Sequence, residues 1–256
     1  MKHLIDELAK LKKFGIVGIK QSFEDEGVLF DDVVKMKRIC SSLNIFLSVK
    51  IGGCEAISDI NNSILLDVDK IVAPMVESEF ALQKFVEAVI NNVDIDTQEK
   101  MNFYINVESK TAYENLDEIL SSPSSKLLNG IVVGRSDLTK SFGYGKQDVV
   151  SPKMCDVVTD ILTQSKGYGF KTLMGGNIGS SSIDFIQDLH EKKLLNNIET
   201  RNVIMDLNKV DIDNLDDLIK NALFFESNWL NYKAGYYNKI GHDYIDRSKT
   251  ILDRIS

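Results

Sequence analysis

Seven short, nearly continuous apolar runs rich in β-forming residues recur along the chain, each followed by residues at helical spacing. This alternation restricts the fold more than any other feature. The runs are residues 15–20, 45–51, 70–76, 103–107, 130–133, 171–174 and 202–205. A strand with one wet face alternates apolar and polar residues, whereas a strand covered on both faces need not. These runs are of the second kind and predict a parallel sheet buried beneath helices. Between them, Val33, Val34, Ile39, Cys40 and Leu43 share one helical face, as do Leu82, Phe85, Val86 and Val89. Tyr113, Leu116, Ile119 and Leu120 form another, opened by Thr111 and Glu114 in a capping-box pattern. Leu215, Leu218, Ile219, Ala222 and Leu223 begin a long C-terminal helical region that continues past Trp229.

In 256 residues, strand–helix units of this kind build a TIM-type (β/α)8 barrel as a single domain. Seven strands are one too few for closure. The residues before Gly15 look helical, so the first strand reads as missing or atypical, the other reading being a short strand overlooked elsewhere. The barrel is expected over residues 1–232. Residues 233–256 are expected to form a helical C-terminal extension that covers a neighbouring subunit or lies on its own barrel.

The formal net charge of −8 argues against a nucleic-acid or anionic-membrane partner, since both require a clustered positive field. No apolar run approaches the roughly 20 residues a membrane-spanning helix needs. The N-terminal segment carries charges throughout and lacks the uninterrupted apolar core of a secretory signal. Three scattered cysteines, Cys40, Cys54 and Cys155, support neither a disulfide framework nor a zinc ribbon, so a reduced, cytoplasmic location is expected.

In parallel α/β folds, function gathers where strands end and the following loops begin. Those positions are rich here in charge and glycine: Glu24 and Asp25 after the first run, Lys50 at the second, Glu77 after the third. Glu108 follows the fourth run, and Gly134, Arg135, Ser136 and Asp137 follow the fifth. Gly175, Gly176 and Asn177 follow the sixth. Carboxylates without nearby histidine or cysteine suit Mg2+ or Mn2+ better than zinc. Any single carboxylate can instead serve as a helix cap or first-turn charge, and Glu55, Glu77 and Glu114 are read that way. His3, His190 and His242 fall on helical stretches or the tail and read as surface or packing residues. Arg201 and Lys171 read as solvated, although either could grip a phosphate.

Three stretches, in order, carry a resemblance. LLDVDKIVAPMVES (65–78), INVESKTAYENLDEIL (105–120) and LNGIVVGRSDLTKSFG (128–143) resemble motifs of the HpcH/HpaI aldolase and citrate lyase β-subunit family, relatives of the pyruvate kinase-like barrels. With weaker N-terminal matches, the likeness covers roughly residues 15–145. It implies that Glu108 and Asp137 bind the metal and that Lys50 stands where a cation contacts the keto oxygen. It further implies that the N–H groups around Gly134, Arg135 and Ser136 meet the substrate carboxylate, and that Asp67 positions the base. Aldolase members place a Glu-His pair where this chain has Glu24-Asp25, as citrate lyase-type members do. Proton transfer is therefore assigned to Asp25, with Glu24 as the alternative.

The expected activity is metal-dependent carbon–carbon cleavage or formation on a small 2-oxo acid through a pyruvate-type enolate. The alternatives are an acyl-CoA lyase, a phosphoenolpyruvate-dependent condensing enzyme, and a non-catalytic paralogue that binds a keto acid. By resemblance, the chain is expected to form a homo-oligomer.

Overall fold

The computed structural model describes residues 1–23 and 28–255. Helix α1 (Lys2–Lys12) precedes β1 (Ile16–Ser22), after which helices and strands alternate. The first half continues through α2 (Phe30–Leu43), β2 (Phe46–Lys50), α3 (Ile57–Leu65), β3 (Lys70–Ala73), α4 (Glu79–Asn92) and α5 (Ile95–Lys100). Next come β4 (Asn102–Val107), α6 (Lys110–Glu114), α7 (Leu116–Ser121), β5 (Gly130–Gly134), α8 (Arg135–Ser141) and α9 (Pro152–Gly167). The chain ends with β6 (Lys171–Gly175), α10 (Ile183–Glu191), β7 (Asn197–Glu199), β8 (Val203–Asp206) and the 38-residue α11 (Leu215–Leu252).

The eight strands close into a barrel in sequence order. Strands β1 to β7 run parallel to one another, which accounts for the continuous apolar runs: both faces are buried. Phe103, Ile105 and Val107 of β4 join the core shared with the helices, while Tyr104 joins Val72, Val132, Leu173 and Ile204 in a separate cluster inside the barrel. No described helix is long and apolar enough to cross a membrane.

The strand missing from the sequence reading is β7, not the first. It has three residues, too few to show a period, and β1 is a full seven-residue strand. The last strand also departs from the expected parallel sheet, because β8 runs antiparallel to both β7 and β1. The cause is local. Only Thr200, Arg201 and Asn202 join β7 to β8, and a parallel return needs a crossover of about a dozen residues or more. The capping box also shifts: Ser109, not Thr111, caps α6 by accepting the Ala112 N–H at 3.1 Å.

Helix α11 holds this reversed strand in place. The buried Glu226 carboxylate accepts hydrogen bonds from the Thr200 hydroxyl, the Asn202 N–H at 2.6 Å and the Val203 N–H at 3.0 Å. Asn202 in turn donates from its amide to the Lys20 carbonyl at 3.0 Å, tying the turn to β1. Replacing Glu226 with alanine strands three donors in a buried site, at about 1–3 kcal/mol for each unsatisfied group after partial relaxation. We expect Glu226→Ala to lose about 3 kcal/mol in urea denaturation and Glu226→Gln to lose clearly less. A loss below about 1 kcal/mol for the alanine variant would show that the turn closes the barrel unaided.

Helix α11 continues unbroken through Gly235 and Gly241. Trp229 is buried and stacks on Tyr232 at 5.7 Å. Further along, the Tyr237 hydroxyl donates to Asp32 of α2 at 2.8 Å, and the Lys35 ammonium lies 3.7 Å from the Tyr236 ring centre. Beyond these contacts the helix is exposed, with Tyr244, Ile245, Ile251 and Leu252 all facing solvent.

Candidate active site at the carboxyl mouth of the barrel

A cavity of about 300 Å3 opens where the parallel strands end. Five of the strands deliver residues from their carboxyl ends to it. Lys20 and Ser22 come from β1, Lys50 from β2, Asn106 and then Glu108 from β4 and its end, Gly134 from β5, and Glu199 from β7. Ser136 and Asp137, in the first turn of α8, complete the wall beside Gly176 and Asn177.

Glu108 is the most constrained carboxylate in the cavity. It is 2% exposed; Oε2 lies 3.3 Å from the Lys50 Nζ and accepts the Asn106 amide at 2.8 Å, while Oε1 accepts the Met75 N–H at 3.1 Å. A buried carboxylate with an ammonium and two further donors around it is fixed in direction. Glu199 forms a second buried pair with Lys20 across the cavity. Each carboxylate faces a glycine at the end of an adjacent strand. A Cβ at Gly134 would fall 2.8 Å from the Glu108 Oε2, and one at Gly175 would fall 2.8 Å from the Glu199 Oε1.

Gly176 has φ of +83°, and a Cβ there would sit 2.5 Å from the Ser136 N. Glycine at this position thus keeps the approach to the first N–H groups of α8 open. The Arg135 side chain turns away from the cavity and is fully buried. Its guanidinium donates to the Gly176 carbonyl at 2.9 Å and the Ser182 hydroxyl at 3.0 Å, with longer contacts to the carbonyls of Gly175 and Asn177. Burial pulls its pKa down to about 10, which leaves it cationic at neutral pH. Arg135 thereby clamps the 175–177 loop against the start of α8.

The expected residues Lys50, Glu108, Gly134, Ser136 and Asp137 line this one cavity. Arg135 reaches it only through its backbone. Asp67 does not line it. That residue lies in the turn between α3 and β3, exposed, with φ of 50°, at the amino-terminal end of its strand. Glu24 and Asp25 lie outside the described residues. None of the three histidines lines the cavity. Glu77 takes a hydrogen bond from the Ser109 hydroxyl, Glu55 pairs with Lys84, and Glu114 pairs with Lys110; none of the three is the helix cap or first-turn charge expected of it.

Sequence reasoning missed Lys20, Asn106, Glu199 and Lys146, and it read Arg201, which lines the same cavity, as solvated. Lys20 and Asn106 were hidden inside strand runs, and Glu199 lay in the strand not counted. The glycines ending β5 and β6 were the available signal, since each makes room for a carboxylate on an adjacent strand.

The donor set fits a hard divalent cation. Glu108 and Asp137 face one space, and the Asn106 Oδ1 is buried there with no hydrogen-bond partner among the described residues. Among the described residues, no three His, Cys, Asp or Glu side chains gather to form an all-protein site. Mg2+ is compatible with so few ligands, because it usually keeps several waters and takes one or two carboxylates plus substrate oxygens.

The barrel resembles solved structures at low sequence identity. An HpcH/HpaI aldolase from Desulfitobacterium hafniense DCB-2 is 12% identical with a TM-score of 0.59, over 72% of this chain and 77% of that one. An HpcH/HpaI aldolase/citrate lyase family protein from Burkholderia cenocepacia J2315 is 15% identical with a TM-score of 0.61, over 86% and 89%. The citrate synthase SbnG is 13% identical with a TM-score of 0.61, over 88% and 98%. At such identities the likeness speaks for the fold alone, and no curated protein matches by sequence. The sequence itself is more telling: residues 45–176, just over half of the chain, match a single family and include Lys50, Glu108 and Asp137. The chain belongs to the HpcH/HpaI aldolase/citrate lyase family.

Proposed function

We propose that the chain is a carbon–carbon lyase of the aldolase type, acting on a small 2-oxo acid through a pyruvate-type enolate with Mg2+ or Mn2+. The observation that carries this reading is the buried Lys50–Glu108 pair, which opens onto the same cavity as Asp137 and the start of α8. A cation held by Glu108 and Asp137 would supply Lewis-acid polarisation of the keto group.

The rest of the work falls to the chain's own groups. The Lys50 ammonium, already oriented by Glu108, stabilises the negative charge that grows on the keto oxygen as the C3–C4 bond breaks. The N–H groups of Arg135 and Ser136 receive the substrate carboxylate, and Gly176 leaves that approach clear. Asp25 or Glu24 takes the 4-hydroxyl proton in this reading, and Glu199 is the carboxylate of the described cavity able to share that task. A space of about 300 Å3 lies at the small end of ligand pockets, in keeping with a pyruvate unit and a short aldehyde.

Lys146 and Arg201, which add two cations to the lining, favour one runner-up: a substrate with a second anionic group, as in acyl-CoA cleavage or phosphoenolpyruvate condensation. The deciding experiment is proton–deuterium exchange of the pyruvate methyl group by NMR, with and without Mg2+ or Mn2+. Exchange that needs the metal is the expected result. No exchange in protein shown to bind metal would move the assignment to the runner-up, and neither exchange nor metal binding would favour a non-catalytic keto-acid-binding protein.

A further inference from the structure

The opposite mouth of the barrel carries a second concave site with a different character. A bowl of about 740 Å3 is lined there by six lysines: Lys12, Lys13, Lys70, Lys100, Lys171 and Lys209. Only two carboxylates, Asp69 and Asp206, share the lining, giving a formal excess of four positive charges on a chain whose net charge is −8. Both carboxylates are already engaged, Asp206 by a lysine of the bowl itself. Asp69 accepts the Leu47 N–H at 2.8 Å and lies 3.5 Å from the Lys37 ammonium, while Asp206 lies 3.3 Å from the Lys209 ammonium and accepts from Asn208.

Lys70 sets this bowl apart from a scatter of surface lysines. It begins β3 and is 7% exposed, and its ammonium lies 4.1 Å from the Tyr104 ring centre and 4.8 Å from that of Phe46. Among the described residues, its Nζ has no hydrogen-bond or ion-pair partner. Gly18 and Gly130 leave room for those two rings, since a Cβ at either would fall 2.4 Å from the facing aromatic carbon. The barrel is thus built to hold an ammonium beneath its own apolar core. Burying an unpaired ammonium is costly, and the ring faces offset only part of that cost. Burial accordingly pulls Lys70 down to about 8. An anion in the bowl would relieve the penalty.

We propose that this amino-terminal bowl, floored by Lys70, binds a small multiply charged anion of the phosphate class, separately from the catalytic mouth. A multiply charged phosphate is favoured over a single carboxylate because the lining carries an excess of four positive charges. Lysines bind phosphate as point charges, and several can share the oxygens spread over a di- or triphosphate. The bowl's volume falls in the range of small-molecule sites.

Titration calorimetry of the metal-free protein with inorganic pyrophosphate tests this. The wild type should bind, Lys70→Met should bind at least tenfold more weakly, and Lys50→Met should bind as the wild type does. The anion should also raise the Lys70 pKa, and because pyrophosphate itself titrates near pH 8.5 the readout is a difference: the wild type should take up more protons on binding than Lys70→Met does. If Lys70→Met does not fold, the exposed pair Lys100→Gln and Lys171→Gln replaces it, with the same tenfold weakening expected. Absence of pyrophosphate binding, binding unchanged by the bowl variants, or binding lost in Lys50→Met would each overturn the proposal.

Discussion

Glu108→Gln is expected to lower metal-dependent exchange of the pyruvate methyl by at least about a thousandfold, roughly 4 kcal/mol of transition-state stabilisation, with circular dichroism unchanged. The substitution keeps shape and removes charge. Two consequences follow from the contacts of that carboxylate. A cation sharing it with Asp137 loses half of its anionic ligands, so Mn2+ affinity read by electron paramagnetic resonance should fall alongside the rate. The change also replaces the carboxylate 3.3 Å from the buried Lys50 ammonium with a neutral amide. Breaking a buried pair by removing one partner typically costs about 3–5 kcal/mol, so the variant should also be less stable. Asp137→Asn should likewise lose Mn2+ affinity, since Asp137 lines the same cavity. Retention of more than about a tenth of the exchange rate by Glu108→Gln would remove the central claim about this site.

Arg135→Met should cost about 3–5 kcal/mol in chemical denaturation, since several buried acceptors lose their donor at about 1–3 kcal/mol each before relaxation. The fully buried guanidinium serves three carbonyls and a hydroxyl along residues 175–182, and methionine serves none of them. Arg135→Lys should recover little, because one ammonium cannot reproduce donors fixed in a fork. The loop it holds is the one that brings Gly176 against the Ser136 N, so exchange activity should fall with stability. A loss under about 1 kcal/mol would mean that water replaces the guanidinium and that the loop is held by its own backbone.

These two residues show what could be read from sequence. Glu108, Asp137 and Lys50 were legible because a parallel sheet buried on both faces leaves few places for charge, and strand ends are the chief one. Arg135 was legible as a position but not as a role. A motif places a residue on the chain, while the direction of its side chain depends on the neighbouring loop. Asp67 shows the limit of motif matching without geometry. It sits at the start of its strand, and only the direction of β3 reveals that this end lies away from the cavity. Lys70 was hidden for a related reason: at the head of an apolar run, a lysine reads as a solvated strand end, and only Phe46 and Tyr104 folding around it reveal burial.

The reversed β8 bears on how a barrel like this can diversify. In an all-parallel barrel, eight loops leave the catalytic mouth, and each can lengthen without disturbing the sheet. Here the eighth strand runs away from that mouth, and its place at the rim is taken by a three-residue turn clamped by Glu226. A turn so short and so fully bonded has no room for insertions. New substrate preferences would have to arise in the loops after the parallel strands, or by single substitutions in the turn itself, where Arg201 is the exposed side chain facing the cavity.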